Sequence, residues 1–530
     1  MEHEGDERDG QEGRLDPHLE PAWDPDDVAA ADAARIEAGA DLMAVASAAL
    51  AGGCTRRLRE VRGRVAGARA VLLVGTGNNG GDALLAGALL RRRGVGVVAL
   101  LCGSRHHGAG AAALRRAGGS LVQLPDDGPL PGGTVRALAG ADLVVDAVLG
   151  IGAQGAVRGA ALPVLQALLA GPRPPLVVAC DLPSGLDPAT GRAEGPVLAA
   201  DLTVTFGVAK PGLLLPEAQH LLGDLLVVPL GLQPHLPDRP ALARLRVPAD
   251  CTRPAAAVTE LWPWPWRTGD KYSRGVLGVA AGEAAYPGAA VLVARAAAGA
   301  GVGMARLVPP DDAPGLAELV LHAVPEVVVQ RLDQVGRVQV WVTGPGTSGP
   351  EDPRVQHVLL EADEPAVVDA GALTGLGRAV ADGTLHAPGR LLLTPHAGEL
   401  DRLLVALDEP VARADGRWPA ARTVARRTGC VVLLKGPDTL VVEPGGRTVV
   451  VPGGPPSLGT AGAGDVLAGL AGTLLSAGLA PAVAGVLAAH VHAVAAARAS
   501  RGGGPLHAGA VADALAGVVA SARPGSWDHD

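Results

Sequence analysis

Several residue types are nearly missing from this 530-residue sequence, and each scarcity excludes something. There are five cysteines, at 54, 102, 180, 251 and 430, with no CxxC or metal-ligand spacing, so neither a disulfide framework nor a cysteine-metal site is expected. A reducing cytoplasm is the expected setting. Positive charge is not in excess: the formal net charge is -9 and the arginines are scattered, which excludes a nucleic-acid partner. The start, MEHEGDERDGQEGRLDPHLE, has no basic region followed by an apolar run. It is not a secretory signal, and residues 1–24 are expected to be an acidic, solvated tail. No Asp, Glu, Lys or Arg occurs between Asp465 and Arg498, a gap longer than a membrane span. The gap is mostly Ala and Gly and breaks at Gly478 to Pro481 into two segments of ordinary helix length, so no membrane partner is expected. What remains of the scarce types is informative by position. The only asparagines are Asn78 and Asn79, the only lysines Lys210, Lys271 and Lys435, and the only tyrosines Tyr272 and Tyr286. In a chain that uses Arg almost everywhere for positive charge, surviving lysines mark places where Arg cannot substitute.

At 48% hydrophobic, a chain this long makes two cores rather than one. From residue 71, short apolar runs (VLLVG, VGVVALLC, LVVAC, DLTVTFG) alternate with Ala-rich helical stretches. That pattern predicts parallel strands covered on both faces, a doubly wound α/β domain. GLQPHLPDRP and LWPWPWRTGD then interrupt the alternation with proline, which predicts a linker over 233–255. Beyond it α/β alternation resumes, with strands at GVLGVAAG, VQVWVTG, PAVVDAG, RLLLTPH and VVLLKG and helices near 289–300, 398–407, 465–478 and 482–499. The predicted domains are 25–232 and 256–524.

VLLVGTGNNGGD, residues 71–82, puts a glycine-rich turn between a strand and a helix. Glycines let backbone N–H groups approach a ligand, and the helix N-terminus favours anions. Gly75, Gly77 and Gly80 also satisfy the dinucleotide fingerprint GxGxxG, but the second strand ends in Arg105 and histidines rather than an acidic residue, as a dehydrogenase would require. Two side-chain amides and a carboxylate on one turn suit hydroxyls, amides or a monovalent cation. Two further strand ends carry polar groups, Asp146 before a glycine-rich loop and Asp181 before Pro183, Ser184 and Gly185. In open α/β sheets such ends line the ligand crevice, so all three are expected to meet.

Through GNNGGD, VDAVLG, DLPSGLDPATG and ADLTVTFGVAKPGLL, residues 25–232 resemble the NAD(P)H-hydrate epimerases, with a Rossmann-like sheet. The resemblance implies that Asn78, Asn79, Gly80, Gly81 and Asp82, the loop Gly150, Ile151, Gly152, Ala153, Gln154, Gly155 and Ala156, and Asp181 contact the hydrated nicotinamide nucleotide. It makes Asp181 the acid/base and assigns a potassium ion to Asn79, Asp146 and Ser184. Ala44 replaces a family glutamate, Thr76 a proline and Ile151 a threonine.

In the second half GTAGAGDVLAG, residues 459–469, opens a helix with a glycine turn and puts Asp465 in its first turn. Backbone N–H groups of Gly462 to Gly464 and the helix dipole suit a transferring phosphoryl group, and an Asp beside such a hole makes sense as a base that takes a proton from an attacking hydroxyl. VVLLKGPDTLV puts Lys435 at a strand end, and LLLTPHAGELDRL puts His396 between a strand and a helix. With KYSRGVLGVAAGEAAYPGAA and WVTGPGTSG, these resemble the ADP-dependent NAD(P)H-hydrate dehydratases, a ribokinase-like α/β domain. The resemblance implies that Lys435, Gly436, Pro437, Asp438, Thr439 and Gly464 bind the nucleotide, that Ala289, Gly346, His396 and Asp465 bind the hydrate, and that Asp465 is the catalytic base. Here a family DADAL reads DAGAL at Asp369 to Leu373, and Ala463 stands for Thr or Ser.

The implied chemistry is phosphorylation of the C6 hydroxyl by ADP, with Mg2+, followed by loss of phosphate driven by the ring nitrogen. An epimerase in the same chain supplies the isomer the dehydratase does not accept. The expected assembly is a homo-oligomer. The rivals are a ribokinase-like vitamin-precursor kinase fused to a noncatalytic nucleotide-binding domain, a nucleotide sensor, and a dehydrogenase in the first half.

Overall fold

The computed structural model describes residues 11, 13–125, 129–152, 155–171, 176–409 and 416–524. The chain divides into two compact units, Pro21–Ala243 and Arg244–Asp530, the latter together with Met1–Glu20.

In the first unit seven strands form one sheet: β2 (Arg69–Val74), β3 (Gly96–Leu101), β4 (Ser120–Gln123), β5 (Leu143–Ala147), β6 (Leu176–Cys180), β7 (Leu202–Phe206) and β8 (Asp224–Val228). β1 (Leu19–Ala22) precedes them in the chain. Their order is β4-β3-β2-β5-β6-β7-β8, with every pairing parallel. Alternate residues of β2 feed two different cores. Leu72 and Val74 pack with Val28, Leu50, Leu84 and Leu114 from helices on one face, and Val71 and Leu73 pack with Leu138, Val164 and Leu165 from helices on the other. This is the doubly wound arrangement expected from continuous apolar strand runs. The order reverses between β2 and β5, which places a crevice beyond their carboxyl ends.

The second unit holds β9 (Leu242–Leu245), β10 (Val276–Ala280), β11 (Met304–Leu307), β12 (Val328–Val329), β13 (Val340–Thr343), β14 (Ala366–Val368), β15 (Leu391–Leu393), β16 (Val431–Leu434), β17 (Thr439–Val442) and β18 (Thr448–Val451), β9 straddling the division between the units. The order runs β18-β17-β16-β15-β14-β13-β10-β11-β12, and residues 19–20 and 244–245 extend the sheet beyond β18. Pairings from β12 to β16 are parallel, while β16, β17 and β18 are antiparallel. The reversal here falls between β10 and β13. The uncharged stretch forms two helices, Ala463–Ser476 and Pro481–Ala499. The second is long and apolar enough to cross a membrane, but residues 481–497 are all buried inside this unit.

Two expectations fail here. The tail is not solvated throughout: a 3-10 turn at Asp16–His18 leads into β1, and Leu15, His18, Leu19 and Ala22 are buried while Gly13, Arg14, Asp16 and Pro17 stay exposed. A few apolar residues at the right spacing outweigh an acidic average composition. The linker 233–255 likewise contains regular structure, because β9 lies within it with Leu242, Ala243 and Leu245 buried.

Two candidate active sites

The GNNGGD turn follows β2, and its residues open the helix Asn78–Arg92, with Gly77 as the N-cap. Gly75 has to lack a side chain, since a Cβ there would lie 2.0 Å from the Val148 carbonyl oxygen. The turn therefore lies against the loop after β5. The Asn79 amide donates to the carbonyls of Leu149 (3.1 Å) and Cys180 (3.0 Å), tying together the ends of β2, β5 and β6. Asp146 accepts from the Ser184 hydroxyl (2.6 Å) and backbone N–H (2.8 Å), and Ser184 Oγ in turn accepts from Leu149 N–H (2.9 Å). Burial pushes the Asp146 carboxyl up, and the bonds from Ser184 oppose that shift. The three strand ends thus meet as expected, and Asn79, Asp146 and Ser184 form one connected, oxygen-rich cluster.

Beside this cluster opens a cleft of about 740 Å³, lined among others by Asn78, Asn79, Asp82, Gly150, Ile151, Gly152 and Asp181. Gly80 and Gly81 are buried in the first helical turn, and Gly155 and Ala156 are not among the lining residues. Ala153 and Gln154 lie outside the described residues. Asp181 sits at φ 69°, a left-handed conformation that favours glycine and tolerates Asp, which is how a strand end turns its carboxylate toward the cleft. Its Oδ1 accepts from Lys210 Nζ (2.7 Å) and Thr205 Oγ1 (3.0 Å), and Lys210 also donates to Thr205 Oγ1 and the Phe206 carbonyl.

Sequence reasoning did not place Lys210 at this site, although its rarity was the available signal. Asp32 was missed too. It reaches the cleft from the helix Pro25–Glu37, and nothing in the local sequence marks it. Ala44, which replaces the family glutamate, is exposed and outside the cleft lining; Leu42, Met43 and Ala46 of its helix are the residues facing the cleft. Lys210 is only 1% exposed, so removing it strands a buried carboxylate. Lys210→Met should therefore cost the first unit about 3–5 kcal/mol, read from denaturant unfolding of the full chain.

In the second unit Gly462, at φ 83°, caps the helix Ala463–Ser476, and Asp465 lies in its first turn. Lys435, just past β16, donates to Asp369 Oδ1 at 2.8 Å, with Glu399 Oε2 at 3.8 Å. A Cβ on Gly464 would lie 3.3 Å from Lys435 Nζ and 3.7 Å from Asp369 Oδ2, so the helix start packs directly against the lysine and the carboxylate. Burial pulls the Lys435 ammonium down, but the carboxylates of Asp369, Glu399 and Asp465 outweigh it and leave it raised. Burial pushes Asp465 up to about 6; Asp369 adds to the rise and Lys435 opposes it. A carboxylate with that affinity for a proton can take one and give it back near neutral pH.

Gly346 follows β13 at φ 62°, and a Cβ there would lie 2.6 Å from that of Ala289, which brings these two predicted substrate residues together. His396 caps the helix Ala397–Ala406: its Nδ1 accepts from the N–H groups of Gly398 and Glu399, and Glu399 returns a bond to its backbone. The ring remains 55% exposed by side chain. Of the KGPDT residues, Gly436 and Pro437 are exposed, whereas Asp438 is engaged by Arg244 (2.7 Å) and Gly453 N–H (2.9 Å) and Thr439 is buried at the start of β17. Asp369 and Glu399 were not singled out by sequence, although both stand inside quoted motifs. The glycine of DAGAL has a packing cause, because a Cβ on Gly371 would lie 2.2 Å from the Thr347 carbonyl.

Each of the two α/β units gathers polar side chains at the carboxyl end of its parallel strands, the place where such sheets bind small molecules and the arrangement of an enzyme with two sites. Two family models match, one described as YjeF-related protein N-terminus over residues 39–212 and one as NAD(P)H-hydrate dehydratase over residues 277–515. The bifunctional NAD(P)H-hydrate repair enzyme of Mycobacterium leprae is 41% identical over 469 residues, 88% of this chain and 90% of that protein. That of Moorella thermoacetica is 34% identical over 84% of this chain and 85% of its own. A crystal structure of the ADP/ATP-dependent NAD(P)H-hydrate dehydratase of Bacillus subtilis with ATP/Mg2+ is 25% identical and covers 51% of this chain and 96% of that one, at a TM-score of 0.42. The chain belongs to the family of bifunctional NAD(P)H-hydrate repair enzymes.

Proposed function

We propose that the first unit interconverts the R and S hydrates of NADH or NADPH, and that the second converts the S hydrate back to the dihydronicotinamide at the expense of ADP. The observation that carries the second half is Asp465, a half-buried carboxylate with a raised proton affinity in the first turn of a glycine-capped helix, next to Lys435. In this reading Asp465 takes the proton of the C6 hydroxyl as it attacks the β-phosphorus of ADP. The N–H groups of the helix start and the Lys435 ammonium stabilise the charge on the transferring group. The C6–O bond then breaks toward phosphate as the ring nitrogen's lone pair forms a C6=N1 bond, and loss of a proton from C5 to solvent or to the departing phosphate forms the C5=C6 bond and returns the pair to nitrogen. Ala289, Gly346 and His396 would hold the hydrate, and Lys435 to Thr439 with Gly464 the nucleotide, Asp438 acting by fixing the loop rather than by contact.

In the first unit Asp181 is the acid/base. Asn79, Asp146 and Ser184 fit a potassium ion, since Asn79 is tied through Leu149 to the buried carboxylate and hydroxyl of Asp146 and Ser184, and Asp146 lacks a cationic side-chain partner among the described residues. Such an ion would supply fixed positive charge beneath the nucleotide. Magnesium fits less well as a resident ion. Among the described residues no group of three or more His, Cys, Asp or Glu could hold a metal, and Asp369 and Glu399 are taken by Lys435. Any Mg2+ then arrives on the nucleotide's own phosphates. The five cysteines are free thiols, which suits the cytoplasmic setting.

The test is to add the full chain to mixed NADH hydrates with ADP and follow NADH absorbance. Full recovery supports both halves, recovery of the S fraction alone at the enzymatic rate rejects the epimerase, and a stable phosphorylated product without NADH supports the kinase alternative. A narrower test is Lys435→Arg. A guanidinium is planar and larger than an ammonium and does not reproduce the compact charge held by Asp369 and Glu399, so dehydration should fall on the order of 100-fold in a steady-state assay.

A further inference from the structure

The epimerase cleft contains more carboxylates than a single acid/base requires. Asp82, three residues past Asn79 on the helix Asn78–Arg92, lines the same cleft as Asp181 yet is almost fully buried. Among the described residues only the Ser47 hydroxyl reaches it, at a long 3.4 Å to Oδ1, and that hydroxyl lies 2.6 Å from the Met43 carbonyl. No cation pairs with it among the described residues. Asp181 is held quite differently, by an ion pair with Lys210 at 2.7 Å and a bond from Thr205, both on Oδ1. The charged and titratable groups facing Asp82 are Asp181, Asp32 from the helix Pro25–Glu37 and the buried Cys180 thiol, with Lys210 paired to Asp181. Two carboxyl groups on one cleft, one paired with an ammonium and one left almost unpartnered, are in the environments that separate an acid from a base.

Resting on the epimerase reading above, we propose that Asp82 is the second proton-transfer residue of the epimerase, acting as acid on one face of the nicotinamide ring while Asp181 acts as base on the other. In the R to S direction the Asp82 carboxyl passes its proton to the C6 hydroxyl. The C6–O bond breaks toward oxygen as the ring nitrogen's lone pair forms a C6=N1 bond, and water leaves. A second water adds to the opposite face of C6, the C6=N1 pair returns to nitrogen, and the proton that water sheds goes to Asp181. No electron is gained or lost. The reverse direction uses the two groups with their roles exchanged, and proton exchange with solvent resets the pair. Burial, then the nearby Asp181 and Asp32 carboxylates, push the Asp82 carboxyl up to about 7 against the Ser47 bond, so the acid form is available at neutral pH.

The experiment uses the full chain, purified R hydrate and no nucleotide, with R and S separated by chromatography and the spontaneous rate subtracted. In the wild type, kcat should fall as pH rises through about 7, where Asp82 loses its proton. Asp82→Asn should lower kcat by about 100-fold or more with KM little changed, and abolish that limb. Asp82→Glu keeps a carboxyl at this position and should recover part of the lost kcat together with a descending limb. A merely binding or structural role for Asp82 would raise KM rather than lower kcat in Asp82→Asn, or leave the limb in place there, and either result overturns the proposal. A wild-type chain no faster than the spontaneous rate overturns the epimerase reading itself. An active wild type with an active Asp82→Asn overturns only the assignment made here.

Discussion

Replacing Asp465 by Asn should slow ADP-driven dehydration of the S hydrate by about 1,000-fold or more, at the upper end of what a positioned base contributes. The backbone donors at 462–464 are untouched by this change, so nucleotide binding measured by titration should persist. Asp465 has to be ionised to accept a proton, and its carboxyl is pushed up to about 6, so wild-type dehydration should decline as pH falls through that value. The sign follows from the role: a base is lost below its pKa, whereas an acid is lost above it. An Asp465→Asn chain that keeps near wild-type turnover would remove the kinase-like mechanism altogether.

The second large effect is expected at Asp181. Asp181→Asn keeps a hydrogen-bond acceptor for Lys210 but removes the carboxylate, so consumption of the R hydrate should drop to the rate of spontaneous epimerisation while the purified S hydrate is dehydrated as before. The separation is expected because each site is built within its own unit: the cleft of Asp181 is lined only by residues of Pro21–Ala243, and Asp465, Lys435, Asp369 and Glu399 all belong to the other unit. Three progress curves with pure R hydrate and ADP decide it, for the wild type, for Asp181→Asn and for no enzyme with the dehydratase unit supplied separately. Equal rates in all three would mean that the first unit is catalytically silent.

By itself the sequence determined the two α/β units, because continuous apolar strands and Ala-rich helices have different periods and leave that difference in the residue order. It also determined the three polar strand ends of the first unit and the glycine turn before Asp465. Each depends on a local rule: only glycine permits the close approach at 75, and a strand end followed by a helix start exposes backbone N–H groups. Rarity added Lys210 and Lys435 as positions of interest without giving either a partner. The tertiary structure alone supplied those partners. Lys210 meets Asp181 from 29 residues away and Lys435 meets Asp369 from 66 away, and no periodicity records such distances. Asp32, on an ordinary surface-like helix, and Leu15 and Leu19, in an acidic segment, likewise gained their roles from what packs against them. The protonation of Asp82 and Asp465 was decided there as well, since a carboxyl's charge depends on the water and the neighbouring charges that folding removes or brings near, which the residue's identity does not contain.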